Sequence, residues 1–186
     1  MTLARPTIAA AYFTEKDEID TRLETIVRTL QNRGFAVAGF LQREFADGLG
    51  CCRATFLEDV SSGEQMRITQ ALGSGSRGCR LDPHGLAAAS GRLLFSIGRE
   101  IDLLVLNRFG KGESEGHGFR AVIEKAHDEG LPVLTAVRPT YFEAWNVFGH
   151  DLAETLDPDP EQLLQWCLSA IAQRRSSLAR DRCIPA

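Results

Sequence analysis

The chain has 186 residues, a net charge of −4 and 44% hydrophobic residues, a composition typical of globular proteins. The acidic balance argues against nucleic acid as a partner, unless basic residues gather locally. No apolar run approaches the length of a membrane span, and residues 1–6 carry no signal-peptide apolar region, so we expect a cytoplasmic protein without membrane insertion. We expect residues 1–186 to form one domain, with a flexible tail at 183–186.

The first 40 residues predict a βαβ unit. An apolar strand over 7–13 is followed by a helix whose apolar residues recur at helical spacing, and then by a second apolar run over 35–40. Gly34 suits the left-handed position that ends a helix. The next section differs, because strands over 41–44, 52–60 and 65–72 are separated by turns too short for parallel pairing. We therefore expect an antiparallel meander that extends one side of the sheet.

The second half alternates helices with buried strands. A helix ends near Arg99, strands are predicted over 101–106 and 132–137, and a helix over 119–130 lies between them. A short aromatic helix over 142–148, a last short strand over 152–156 and a C-terminal helix capped by residues 157–160 follow. We expect Arg174 and Arg175 near the end of that helix, where positive charge favours its dipole. This alternation predicts an α/β three-layer sandwich with a mainly parallel sheet.

Five cysteines stand at 51, 52, 79, 167 and 183. Their odd number and irregular spacing argue against a disulfide framework, and there is no paired C-x-x-C to hold zinc. We therefore expect thiols without chemistry, except for Cys79, which lies among basic residues.

Basic residues follow the buried strand at 101–106 and also occupy the glycine-rich loop at 73–85. Ligands of open α/β sheets lie beyond the carboxyl ends of the strands, and both of these loops precede helices, whose N-termini favour anions. Arginine forks suit tetrahedral oxyanions. The sequence therefore predicts an anion site formed by Arg77, Gly78, Cys79, Arg80, Asn107, Arg108 and Lys111. The secondary candidates are His84, Glu113 and His117.

An alternative interpretation makes these basic residues structural. Arg108 and Lys111 would then pair with Glu113, Glu115 or Asp82 in a surface network. We predict no catalytic residue and no metal ligand, and no cofactor beyond a bound oxyanion such as molybdate, phosphate or sulfate.

The motifs of nucleotide enzymes are incomplete. The glycines of 73–78 match G-x-G-x-x-G, but they lack the preceding βαβ context and the acidic residue that dinucleotide binding requires. The loop after the first strand has no glycine, and Glu15, Asp17 and Glu18 would repel a polyphosphate. Asn107 and Arg108 stand where an acidic residue would help to hold magnesium. These features favour a protein that does not hydrolyse nucleotides.

The order of elements resembles the small P-loop nucleoside-triphosphatases. The segments Gly39–Leu41 and Asp59–Gly63 match turns of that family, and Asn107–Lys111 matches the end of its D-E-x-G-K strand except at both acids. The chain resembles more closely a bacterial family of unknown function often encoded beside molybdate ABC transporters. That resemblance covers roughly residues 7 to 150 and rests on R-G-C-R-L-D at 77–82, on N-R-F-G-K-x-E-x-x-G-x-G at 107–118 and on E-A-W at 143–145.

The resemblance implies a P-loop-like fold with a degenerate Walker A motif and a role in handling molybdate or a related oxyanion. We therefore expect a non-hydrolytic oxyanion-binding protein in molybdenum uptake or homeostasis, as a homo-oligomer or with a transporter-associated partner. Two alternatives stay open: a nucleoside-triphosphatase-like phosphohydrolase with an atypical phosphate site, and a protein-binding adaptor that uses the exposed side of the meander.

Overall fold

The computed structural model describes residues 6–46, 53–70, 80–98 and 100–181. The strands are β1 Ile8–Tyr12, β2 Val37–Ala46, β3 Arg53–Asp59, β4 Gln65–Arg67, β5 Thr69–Gln70, β6 Arg80–Leu81, β7 Leu103–Leu106, β8 Val133–Val137 and β9 Ala153–Leu156. The helices are α1 Ile19–Asn32, α2 Pro83–Ser96, α3 Lys111–Ser114, α4 Arg120–Asp128, α5 Phe142–Gly149 and α6 Pro160–Asp181. None of the helices in these ranges is both long and apolar enough to cross a membrane.

Seven strands form one mixed sheet in the order β4-β3-β2-β7-β8-β1-β9. The strands from β2 to β9 in this order are parallel to their neighbours, whereas β3 and β4 add antiparallel pairs at one side. The predicted parallel sheet and antiparallel meander are therefore confirmed. β1 lies between β8 and β9: the connection from β1 runs to β2 on one side, whereas the connection from β8 crosses β1 to reach β9 on the other. Such a switch in strand order is where α/β sheets open a crevice at their carboxyl edge.

Two details of the meander differ from the prediction. The runs at 35–40 and 41–44 form one strand, β2, whose first part pairs with β7 and whose second part pairs with β3. The predicted strand at 65–72 divides into β4 and β5, and β5 pairs with β6 in a separate ribbon. Gly39 has φ +126° inside β2, and a Cβ there would lie 1.9 Å from the carbonyl oxygen of Val105. A glycine is required where β2 approaches β7 this closely.

Helices cover both faces of the sheet and confirm the three layers. One core contains residues of α2, α4 and α5, and the other contains residues of α1 and α6. Trp145 is buried in the first core, as its helical spacing with Phe142 and Phe148 predicts. In the second core, burial raises the pKa of Cys167 to about 12, which makes it the unreactive thiol expected there. Cys51, Cys52, Cys79 and Cys183 lie outside the described residues.

The position predicted for Arg174 and Arg175 is wrong, because α6 continues to Asp181 and neither residue lies in its last turn. Arg175 instead donates from Nε and Nη2 to the two carboxylate oxygens of Asp102, both at 2.7 Å. Arg174 is buried and donates to the carbonyl oxygens of Gly98, Ile101 and Glu129. We call Asp102, Arg174 and Arg175 the Asp102 cluster; it lies at the amino edge of the sheet.

Candidate functional site

The carboxyl ends of β1, β8 and β7 meet at one edge of the sheet. The backbone N–H of Phe13 donates to the carbonyl oxygen of Val137 at 3.1 Å, and that of Phe109 donates to Ala136 at 2.8 Å. These bonds extend the pairing just beyond the strands, so the side chains of Phe13, Arg108 and Arg138 are brought together. The crevice predicted from the sequence lies at this edge.

Arg108 is held in this crevice by Asp20, in the first turn of α1. Arg108 Nη2 lies 2.9 Å from Oδ2 and 3.2 Å from Oδ1 of Asp20. Asn107 is 4% exposed, and its Nδ2 donates to Oδ1 of the same carboxylate at 3.1 Å. The carboxylate therefore accepts from both residues that follow β7. The alternative pairing of Arg108 with Glu113, Glu115 or Asp82 is wrong among the described residues.

Arg138 follows β8 as Arg108 follows β7. The guanidinium carbon of Arg138 lies 5.4 Å from the centroid of the Phe13 ring, and that of Arg108 lies 5.6 Å from it, both within cation–π range. Across residues 6–46, 53–70, 80–98 and 100–181, no carboxylate pairs with Arg138. We call Phe13, Asp20, Asn107, Arg108 and Arg138 the arginine corner.

Three buried polar atoms of the arginine corner have no hydrogen-bond partner among the described residues: Nε of Arg108, Nε of Arg138 and Oδ1 of Asn107. A buried donor without an acceptor costs free energy and is rare in folded proteins. Such atoms are where a hydrogen bond with a ligand oxygen or a water would lower the free energy of the folded chain. Two of the three are N–H donors on permanently charged groups, which favours an anion.

A cavity of about 110 Å³ lies between the two arginines. It is lined by Phe13, Arg108, Phe109, Gly110, Arg138 and Tyr141. No lining residue that the structure describes is acidic, and the volume equals several water molecules, which is enough for a tetrahedral oxyanion. A neighbouring cavity of about 200 Å³ shares both arginines but opens onto the acidic loop between β1 and α1.

The β1–α1 loop folds onto its own side chains and forms no phosphate cradle. Thr14 donates its backbone N–H and its hydroxyl to Oδ2 of Asp17, at 2.8 and 2.9 Å. The backbone bond from Thr14 is the largest of the contacts that lower the pKa of Asp17 below its ordinary value, with Arg22 adding to it. The loop N–H at Thr14 that could have met a phosphate is therefore used by the protein's own carboxylate.

Glu113, a secondary candidate, is a buried carboxylate that holds the 110–118 loop. Its Oε2 accepts from the backbone N–H of Gly110 and its Oε1 from that of Phe119, both at 2.9 Å. Gly118 has φ +63°, and a Cβ there would lie 2.2 Å from Oε1 of Glu113. Both acceptor oxygens are thus committed to the backbone, and part of the motif at 107–118 serves to close this loop.

Other predicted residues lie away from the cavities. Lys111 is 74% exposed, and its Nζ is 3.8 Å from Glu115, so that part of the surface network is present. His84 and His117 are exposed. Asp82 caps α2 by accepting from the N–H of His84. No group of three or more possible metal ligands occurs in the part of the chain that the structure describes.

The loop at 73–79 carries the rest of the predicted site. Arg77, Gly78 and Cys79 lie outside the described residues, and so does the side chain of Arg80, whose backbone begins β6. Their share in anion binding stays a prediction.

Sequence reasoning missed three members of the arginine corner: Phe13, Asp20 and Arg138. Arg138 could have been found, because it directly follows the buried strand at 132–137, and Asn107 and Arg108 were identified as the residues that follow the strand at 101–106. Asp20 carried no comparable indication, since acidic residues are common in the first turn of any helix.

The fold and the site define an α/β protein with a seven-stranded mixed sheet, consistent with a P-loop nucleoside-triphosphatase-like fold. The chain belongs to the family described as "Protein of unknown function (DUF2478)", whose model matches residues 8–166. No solved structure matches the chain.

A curated relative is the "Molybdenum import ATP-binding protein ModC 2" of Bradyrhizobium diazoefficiens, strain USDA 110. It is 36% identical over 159 residues. The match covers 86% of this chain but 18% of that protein, so the chain spans about a fifth of the relative's length.

Proposed function

We propose that this protein binds a small tetrahedral oxyanion at the arginine corner without hydrolysing nucleotides. Molybdate is the first candidate, with phosphate and sulfate as chemical competitors. The observation that carries the proposal is that Arg108 and Arg138 line one cavity, and that each has a buried Nε–H without an acceptor among the described residues.

An oxyanion would complete these hydrogen bonds. Each charge-assisted hydrogen bond contributes about 1.5–3 kcal/mol net, so two or three such bonds contribute about 3–9 kcal/mol, which supports binding in the millimolar to micromolar range. The guanidinium groups are already positioned against Phe13, which reduces the side-chain freedom lost when a ligand binds.

The link to molybdenum comes from the relative, whose name includes molybdenum import. That name also includes ATP binding, but this chain has no G-x-x-x-x-G-K-[ST] motif. The loop that would hold that motif instead commits Thr14 to Asp17. We therefore assign this chain the anion and not the nucleotide, and we propose a role within molybdenum uptake or homeostasis, as the resemblance to a family often encoded beside molybdate transporters implies.

Titration calorimetry with molybdate, sulfate and phosphate tests the proposal. We expect Arg108→Ala and Arg138→Ala each to weaken binding of the preferred anion at least tenfold. Arg92→Ala is the matched control, because Arg92 is an exposed residue of α2 that pairs with Glu64. Equal affinities in the wild type and both corner variants would contradict the assignment.

A nucleoside-triphosphatase is the second candidate. It is favoured by the name of the relative, which includes ATP binding, and by the seven-stranded sheet, which is consistent with a P-loop nucleoside-triphosphatase-like fold. A phosphate-release assay with ATP, GTP and Mg²⁺ separates the two. We expect no release above the level of an Arg138→Ala preparation made in parallel. Phosphate release by the wild type that is lost in Arg138→Ala would show that the same site hydrolyses nucleotides, and the proposed oxyanion binding would be wrong.

A further inference from the structure

We infer that Asp20 is an internal competitor of the bound anion and selects doubly charged oxyanions over singly charged ones. This inference rests on the proposed function, because it concerns the same arginine corner. Its basis is that Asp20 already uses donors that an oxyanion would use. The two carboxylate oxygens accept from Arg108 Nη2 and from Asn107 Nδ2 at 2.9–3.2 Å, much as one edge of a tetrahedral oxyanion would.

Asp20 satisfies only part of the arginine corner. The Nε–H groups of Arg108 and Arg138 have no acceptor among the described residues while the carboxylate is in place. A ligand with four oxygens can meet donors that one carboxylate, tethered to α1, leaves unused. The oxyanion therefore makes more bonds in this corner than Asp20 does.

Asp20 can also leave at low cost. Its side chain is 38% exposed and that of Arg108 is 24% exposed, so the pair is in contact with solvent. Ion pairs of this kind are weak because water competes for both groups. Asp102 is a contrasting case in the same protein, because its carboxylate is paired with Arg175 and its side chain is only 12% exposed.

The charges of the corner explain the selectivity. Arg108 and Arg138 carry two positive charges, and Asp20 neutralises one of them. A dianion offsets both arginines once Asp20 has turned outwards, whereas a monoanion only replaces the charge that Asp20 already supplied. A charge without a counter-charge costs most where water is excluded, as it is at the buried Nε groups of both arginines. Molybdate and sulfate should therefore bind, and nitrate should not.

Calorimetric titration of Asp20→Asn with molybdate and with nitrate, in buffer free of phosphate and sulfate, tests this inference. We expect the variant to bind molybdate about two- to fivefold more tightly than the wild type, the range that corresponds to a solvent-contacting ion pair. Nitrate should gain a measurable affinity, because two arginine charges are then uncompensated. Asp20→Ala should change both affinities in the same direction.

Asp151→Asn is the matched control, since it removes the same charge from a side chain that is 89% exposed near the amino end of β9. It should bind like the wild type. Molybdate binding by Asp20→Asn, with no detectable molybdate binding by the wild type, would also support the inference. Molybdate binding that is unchanged or weaker in both Asp20 variants would overturn it and leave the proposed function standing. The absence of molybdate binding in the wild type and both variants would overturn the proposed function itself.

Discussion

The two edges of the sheet use the same side chains in opposite ways. At the amino edge, Asp102 accepts from Arg175 and from the backbone N–H of Ala36, and Arg174 donates to three carbonyl oxygens. At the carboxyl edge, Arg108 and Arg138 each keep a buried Nε–H that has no acceptor in the described part of the chain. The arginines of the amino edge are bound by groups of the protein itself, whereas the unused buried donors of the carboxyl edge are the ones that the proposed anion would bind.

The largest effect should follow from Arg174→Met in the Asp102 cluster. Arg174 is 5% exposed, and its removal leaves the carbonyl oxygens of Gly98, Ile101 and Glu129 without this donor. We expect the free energy of unfolding to fall by at least about 3 kcal/mol, measured in urea. Arg180→Ala in the last turn of α6 should change it by less than about 0.5 kcal/mol. A loss near that of the control would show that the amino edge does not depend on this residue.

Asp102→Asn should cost about 2 kcal/mol at neutral pH, through the bonds from Arg175. Burial raises the pKa of Asp102, but the hydrogen bonds from Arg175 and Ala36 outweigh it and hold the pKa below its ordinary value of 3.8. The stabilisation by the Asp102 carboxylate is therefore complete above pH 3.8, the ordinary pKa, and is lost as the pH falls through the lower pKa of Asp102 in the folded state.

The difference in unfolding free energy between wild type and Asp102→Asn should consequently narrow only in acid. A series of urea titrations at decreasing pH measures it. In an Arg175→Met background, the same substitution should cost less at neutral pH, because the pair is already broken. A difference that grows as the pH falls would contradict the assigned direction of the pKa.

Glu113→Gln should lower the unfolding free energy by about 1–2 kcal/mol, because an amide can accept from only one of the two N–H groups of Gly110 and Phe119. Glu115→Gln is the control in the same loop, since its carboxylate is exposed and lies 3.8 Å from Lys111. Equal stability of the two variants would remove the loop-holding role of Glu113 and would restore it as a candidate ligand residue.

The fold was largely predictable because strands and helices differ in the period of their apolar residues. The continuous strand at 103–106, the βαβ unit and the capped C-terminal helix all follow from local pattern. The structural role of Arg174 and Arg175 did not follow from local pattern, because these residues of α6 contact segments before β7 and β8 that are distant in sequence. Their charge suggested an interaction with the helix dipole, whereas the structure shows hydrogen bonds to those segments.

The candidate site was predictable only where a rule about strand ends applied. Asn107 and Arg108 were identified because they follow a buried strand, and Arg138 satisfies the same rule. Lys111 and Glu113 were placed in the site by their residue types, but loop closure turns Lys111 to solvent and uses Glu113 as a backbone acceptor. The pairing of Asp20 with Arg108 depends on the order of strands in the sheet, which local pattern does not determine.

The smallest effect on stability should come from Arg138→Met, and it sharpens the contrast between the edges most directly. Arg138 pairs with no carboxylate in the described part of the chain, and its buried Nε lacks an acceptor there. Methionine keeps much of the apolar stem while removing that unsatisfied donor. We therefore expect the free energy of unfolding in anion-free buffer to fall by less than about 1 kcal/mol, or to rise slightly, as is common when a residue with a functional role is replaced. The same substitution at Arg174 is its matched comparison. A loss of stability in Arg138→Met as large as that in Arg174→Met would mean that the arginines of both edges stabilise the fold. The contrast that supports a ligand site at the carboxyl edge would then be lost.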